Sequence, residues 1–268
     1  MPPETRDTQG QNLGNSTPEI VDAKPAAGVS TMDSEQLRAS LSQLTTEEAV
    51  IMVKQLAEQG MRDFRNVDLH GANLNGAQLK GVDLSGANLQ GANLEDVNLA
   101  SAILQGADLR GASLVRAKLS FASMSGANLA NTQLAYAVMW RVDLSKANLE
   151  GANLIRSSLA RANLSGASLV GASLKVTTLT DADLRGADLR HCRFMGTDLR
   201  GANLDGADLR DANLRSVRLK GANLDNVNLE GAHLRGAILR ELRLSSEDSD
   251  SGRFTRLGSD SETENNGE

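Results

Sequence analysis

Disulfides, membrane spans and aromatic packing are all missing from this sequence of 268 residues. A single cysteine, Cys192, rules out an intramolecular disulfide and makes a reducing compartment the simpler setting. Aromatic residues make up 2% of the chain, with one Trp, one Tyr and four Phe. An ordinary core draws on aromatic and branched aliphatic side chains; this one must be built from Leu and Ala, used repeatedly in a narrow space. The only prolines are Pro2, Pro3, Pro18 and Pro25. No window approaches the ~18 apolar residues of a membrane helix. The first residues also lack the basic segment and apolar run of a secretory signal. These absences point to a cytoplasmic protein.

What is there divides into blocks of different charge. Residues 1–60 carry 4 Lys and Arg against 9 Asp and Glu, residues 61–244 carry 22 against 18, and residues 245–268 carry 2 against 7. A centre of net +4 is flanked by two ends of net −5 each. Residues 1–30 hold every proline and no periodic apolar pattern, the composition of a disordered segment. Over 31–60 the pattern is helical. Leu37, Leu41 and Leu44 recur at i, i+4 and i+7. A second helix begins with Thr45 and Glu48 in capping-box spacing and stops at Gly60. The second helix is expected to cap the block that follows, packing over its open end through Val50, Val53 and Leu56. Residues 245–268 read as an acidic, solvated and disordered tail.

Residues 61–244 repeat every five residues. From Phe64 to Leu244 every position ending in 4 or 9 is large and apolar, without insertion or deletion over 37 units. It is Leu except at Phe64, Met124, Met139 and Phe194. Two residues earlier sits a small residue, usually Ala; between them lies Asn, Asp or Ser; two residues later Gly is commonest. A period of five fits neither an α-helix nor an uninterrupted strand. Within a unit, though, the small residue and the Leu share one face of an extended segment. The Gly then permits a tight corner. One unit cannot bury its Leu alone, so successive coils must stack and pair. In units such as GANLQ, GADLR and GANLD the chain resembles the pentapeptide-repeat family, whose motif is A(D/N)LXX. The resemblance implies an all-β solenoid, a right-handed quadrilateral β-helix with four units per coil and about nine coils. A short α-helical segment would precede it, and disordered termini would flank the whole.

Residues that could carry chemistry do not converge. His70, His191 and His233 stand at three different repeat positions in distant coils, and no HExxH, phosphate loop or Cys/His spacing occurs. Cys192 lies two residues before Phe194, in the inward slot that Ala fills elsewhere, and reads as an inert core residue. Asp108, Asp183 and Asp188 alternate with Asn at one repeat position and read as solvated surface. No enzymatic activity, cofactor or metal is expected.

One group of outward residues stands apart. Residues twenty apart fall on one side of such a coil. One side gathers Arg116, Lys118 and Phe121, then Tyr136, Trp140 and Arg141, then Ile155, Arg156 and Arg161. Five cations and no acid accompany the only Trp and the only Tyr. Trp, Tyr and Arg are enriched at binding hot spots. Three coils at ~4.8 Å cover only about 230 Å², against ~800 Å² per partner in a standard interface, so the group would be the centre of a larger one. The expected function is a non-enzymatic scaffold or regulator that binds a protein partner through the rigid β-helix surface.

Two alternatives compete with it. The family resemblance brings in mimicry of duplex DNA and modulation of a topoisomerase such as DNA gyrase. A repeat block of net +4, with no projecting loop, weighs against that. Arg interleaved with aromatics suits single-stranded nucleic acid, yet the chain is net −6. Neither nucleic acid nor membrane is the expected partner, and homodimerisation through a terminal segment is left open. The tail is also long enough to reach the aromatic group, with Phe254 and Leu257 as apolar contacts.

Overall fold

A computed structural model describes residues 34–238, residue 42 excepted. The N-terminal segment 1–30, the acidic tail 245–268 and the repeat units centred on Leu239 and Leu244 lie outside the described residues.

Two helices come first, α1 over Ser34–Leu41 and α2 over Thr46–Glu58. The start of α2 is a capping box: the Glu48 amide donates to Thr45 Oγ1 at 3.3 Å, and the Thr45 amide donates to Glu48 Oε2 at 2.9 Å. Its end is a Schellman turn. Gly60, at φ +97°, donates its amide to Ala57 O at 3.2 Å, and Met61 donates to Leu56 O at 2.9 Å. The apolar faces are buried at Leu37, Leu41, Val50, Val53 and Leu56, and Phe64 beyond them is 1% exposed. Lys54 Nζ reaches into the repeats to donate to Asn73 O at 3.2 Å.

From Asp63 onward each coil of twenty residues pairs in parallel with the next, from Asp63↔Asp83 to Arg218↔Ile238. Corners interrupt the pairing every five residues, so each side of a coil contributes a single bridge instead of a long strand. The unit around Leu69 shows how the backbone is satisfied. Leu69 donates to Asn88 O at 2.8 Å and Gly71 to Gln90 O at 2.8 Å, both in the next coil. Ala72 closes a turn on Leu69 O at 3.1 Å. In the following coil Asn88 donates back to Val67 O at 2.9 Å. The remaining amide, that of His70, goes to the Asp68 carboxylate at 3.2 Å. Every amide of the five-residue pattern thus has a partner. The Asn or Asp of the motif is there to take the one amide the coils leave over. The same contact recurs at Asn93 and Glu95, Asn128 and Ala130, and Asp208 and Arg210.

The Leu and Ala columns fill the interior and are buried from Phe64 to Val227. Where the small inward residue is polar, it donates to a backbone carbonyl: Thr132 to Leu129 O, Ser157 and Thr177 to Leu154 O, and Thr197 to Leu174 O, at 2.5–2.7 Å. Cys192 takes the same slot, with Sγ 2.9 Å from Leu169 O, and burial pushes its thiol pKa up to about 12. That is an unreactive thiol.

Candidate interaction surface

At each corner the residue two after the Leu adopts positive φ, from 53° to 74°. Glycine takes this conformation freely, whereas an L-residue pays ~1–2 kcal/mol. The coil has four sides, and two opposite ones treat the requirement differently. One side, the aromatic side, has a ladder running through Lys118, Val138, Ser158 and Thr178. Its corners are Asp96, Arg116, Tyr136, Arg156 and Val176 along one edge, and Ser101, Phe121, Arg141, Arg161 and Asp181 along the other. None of these ten is Gly. The opposite side, with Asn128, Asn148 and Ser168 in its ladder, has eight Gly among its ten corners from Gly86 to Gly171; the exceptions are Asn131 and Lys146. Bulky residues such as Phe121, Tyr136 and β-branched Val176 are the least suited to positive φ. Strain kept where glycine would serve makes this side the candidate functional surface.

The corner side chains form one cluster. Phe121 packs edge-on against Trp140, ring centroids 4.7 Å apart and planes at 83°. The guanidinium of Arg141 lies 4.8 Å from the Trp140 ring centre, and that of Arg156 lies 5.9 Å from the Tyr136 ring centre. Phe121 and Tyr136 are each 50% exposed and Val138 is 45% exposed, while Trp140 and Ile155 are half-buried. Exposed apolar surface continues into the next coils with Val176 and Met195, which sequence reasoning had passed over.

The five cations are not equivalent. Arg116 forms two hydrogen bonds of 2.8 Å with Asp96, and its Nη2 is 3.4 Å from Glu95. That pairing holds the Asp96 carboxyl below the usual range. Arg161 Nε stands 3.6 Å from Asp181. The acids come from the coils on either side of the cluster, so the sequence expectation of an uncompensated group of five is corrected. Among the described residues Arg141 and Arg156 have no carboxylate within 4.0 Å and stack on rings instead.

The family model for pentapeptide repeats matches in overlapping copies from residue 63 to residue 246. This chain belongs to the pentapeptide-repeat family. Proteins of that family fold as right-handed quadrilateral β-helices. Among solved structures the chain is similar to HetL, a pentapeptide-repeat protein involved in heterocyst differentiation regulation from the cyanobacterium Nostoc sp. strain PCC 7120. The two are 35% identical over 72% of this chain and 96% of HetL, with a TM-score of 0.45. It is also similar to QnrB1, a plasmid-mediated fluoroquinolone resistance protein, at 17% identity over 74% of this chain and 97% of that one, TM-score 0.42. No curated protein sequence matches it.

In this pentapeptide-repeat protein the charge asymmetry extends well past the aromatic cluster. From Val115 to Ile238 the aromatic side and its corners carry eleven Lys and Arg, ending with Arg215, Arg218, Lys220 and Arg235, against Asp181 and Asp198. That is net +9, although residues 61–244 as a whole are only +4. The opposite side, from Gln105 to Gly231, carries five Lys and Arg against eight Asp and Glu, net −3. Its cations are largely neutralised locally. Arg110, Arg190 and Arg210 each lie 2.6 Å from the Asp two residues earlier, and their hydrogen bonds hold Asp108, Asp188 and Asp208 below the usual carboxylate range. Asp183 and Arg185 make the same pair. These aspartates, read from sequence as merely solvated, each accept both a corner amide and an Arg.

The histidines stay apart: His70 is 3.0 Å from Asp68, His191 is 3.9 Å from Asp211, and His233 is exposed. Among the described residues no group of His, Cys, Asp and Glu is arranged to hold a metal. Nor is any helix there long and apolar enough to cross a membrane.

Proposed function

We propose that this pentapeptide-repeat protein is a non-enzymatic, cytoplasmic scaffold or regulator, whose right-handed β-helix of about nine coils presents its aromatic side to a protein partner. One observation carries the reading: two edges of five successive non-glycine corners each, at positive φ, bound the side that exposes Phe121, Tyr136 and Val138 beside the half-buried Trp140. Fixed aromatic and Arg side chains on a rigid base suit the centre of an interface. In the same reading α2 caps the first coil, covering apolar surface that a solenoid end would otherwise expose.

Nucleic acid suits the surface less well. Base stacking needs free ring faces, and here Arg141 covers Trp140 while Arg156 covers Tyr136. Duplex-DNA mimicry needs a negative face, and this one is net +9. Affinity capture from the native cell with wild type, Trp140→Ala and the opposite-side control Lys146→Ala tests the proposal. A protein retained by wild type and Lys146→Ala but lost with Trp140→Ala supports it. Equal capture by all three would sink it. Capture of nucleic acid, with affinity falling by about 10³-fold or more between 50 and 200 mM salt, would replace it with the alternative.

A further inference from the structure

We propose that the basic aromatic side is a docking surface for an acidic chain segment, and that its occupant in the free protein is the protein's own residues 245–268. The inference rests on the reading of that side as a binding surface and names what fills it.

The described chain ends on the aromatic side. Ile238 bridges to Arg218, and the same ladder runs back through Asp198, Thr178 and Ser158 to Val138. The acidic segment begins seven residues after Ile238. Val138 lies five coils away, about 24 Å at ~4.8 Å per coil. The ten residues from Ser245 to Phe254 span up to ~33 Å when extended, at ~3.3 Å each, which is enough to reach the cluster.

Charge favours the same occupant. Residues 245–268 carry seven Asp and Glu against two Arg. The aromatic side from Val115 to Ile238, cluster included, is net +9. It offers Arg141 and Arg156, without a carboxylate partner among the described residues, and Arg218, whose nearest carboxylate, Asp198, is 4.0 Å away. The opposite side, net −3, would repel the same segment.

Apolar side chains match as well. Phe254 and Leu257 are the only large apolar residues in 245–268. Glu247, Asp248 and Asp250 precede them, and Asp260, Glu262 and Glu264 follow. An apolar pair between two acidic stretches matches the exposed Tyr136 and Val138 and the half-buried Trp140, lying among cations. Single exposed ion pairs contribute only ~0–1 kcal/mol. Tethering raises the effective concentration to the millimolar range, so a weak contact suffices. A partner must then displace the segment, and the partner favoured is one that presents carboxylates around an apolar side chain.

The full-length chain tests this directly. Cys192 is buried and unreactive, so a thiol introduced by Gly258→Cys takes a dansyl acceptor alone. Trp140, the only Trp, is the sole donor. Energy transfer is expected to be strong at low salt and to fall severalfold in about 0.5 M NaCl, where charges are screened within a few ångströms. It should fall equally when the six acids flanking Phe254 and Leu257 are replaced by their amides, a change outside the β-helix, and with Arg141→Glu. Transfer that ignores salt, tail neutralisation and Arg141→Glu alike overturns the proposal. The two readings fail separately. A tail that never approaches, with capture still lost on Trp140→Ala, leaves the binding surface standing. Capture indifferent to Trp140→Ala removes the surface itself, whatever the tail does.

Discussion

The aromatic side and the side opposite it share one interior, one ladder spacing and one set of corner dihedrals, yet their outer residues follow different rules. On the opposite side the corners are mostly glycine, and its Arg–Asp pairs close on themselves two residues apart. On the aromatic side the corners include Arg, Tyr, Phe and Val, and the cations reach across coils or lie on rings; among the described residues Arg141 and Arg156 have no carboxylate within 4.0 Å. The interior fixes two of every five residues, and the outward three vary within the corner dihedral and the one leftover amide. Under the proposed function, that difference follows from the aromatic side's serving as the binding face.

The largest effects should not distinguish the two sides at all. Leu149 lies beneath the opposite side and Leu159 beneath the aromatic one, both fully buried. Leu149→Asp and Leu159→Asp are each expected to cost more than about 4 kcal/mol in thermal unfolding, because a buried unpaired charge has no compensation. Ile103→Asp, at an outward ladder position, should change stability by less than ~0.5 kcal/mol. A silent Leu159→Asp would mean that the two sides do not share an interior.

Corners come next. Gly126→Val on the opposite side meets no steric obstacle, since nothing lies within 4 Å of the added Cβ. Its expected cost, about 1–2 kcal/mol in denaturant unfolding, is backbone strain alone. Val176→Gly on the aromatic side should do the reverse and stabilise by up to ~1 kcal/mol, the strain relief less the entropy of glycine. Equal destabilisation by both would end the argument that the aromatic side holds strain.

Smallest is the acid response of the opposite side. The Arg190 guanidinium holds Asp188 below its ordinary value of 3.8. The stabilisation from that pair is complete above this value and is lost as pH falls through the lower, folded-state pKa. Asp188→Asn keeps the oxygen that accepts the corner amide but cannot titrate. Stability at pH 7 should drop by less than ~1 kcal/mol, and the decline between pH 4 and pH 2 should become shallower in an acid melt. An unchanged acid limb would detach the ion pair from stability.

The register was readable from the sequence because Leu recurs without a slip, and the in/out assignment followed from the two-residue spacing inside each unit. Helix signals were equally legible: Thr45, Glu48 and Gly60 do locally what their chemistry requires. The twenty-residue columns were legible too and gathered the aromatic group; what escaped was which side chains within them pair. The Arg116–Asp96 pair, the Arg156–Tyr136 stack and the run of the basic row out to Arg235 come from the structure. The corner strain escaped for another reason. Arg, Tyr and Phe carry no local signal for positive φ, so they stood out by composition and not by their place in the glycine slot.

Uniform coil length also makes this chain a device that counts in twenties. Deleting a whole coil, such as residues 182–201, would shorten the β-helix and leave every later residue facing as before. Deleting five residues at the same place would advance everything downstream by a quarter turn, with no buried residue out of phase. Leu would still replace Leu inside, while Arg218 and Ile238 would come to lie around the corner from Val138. Folding would be blind to that change, and whatever spans several coils of one face would not. Insertions and losses in such a gene are thus sorted by arithmetic, since multiples of five preserve the interior and only multiples of twenty preserve a surface.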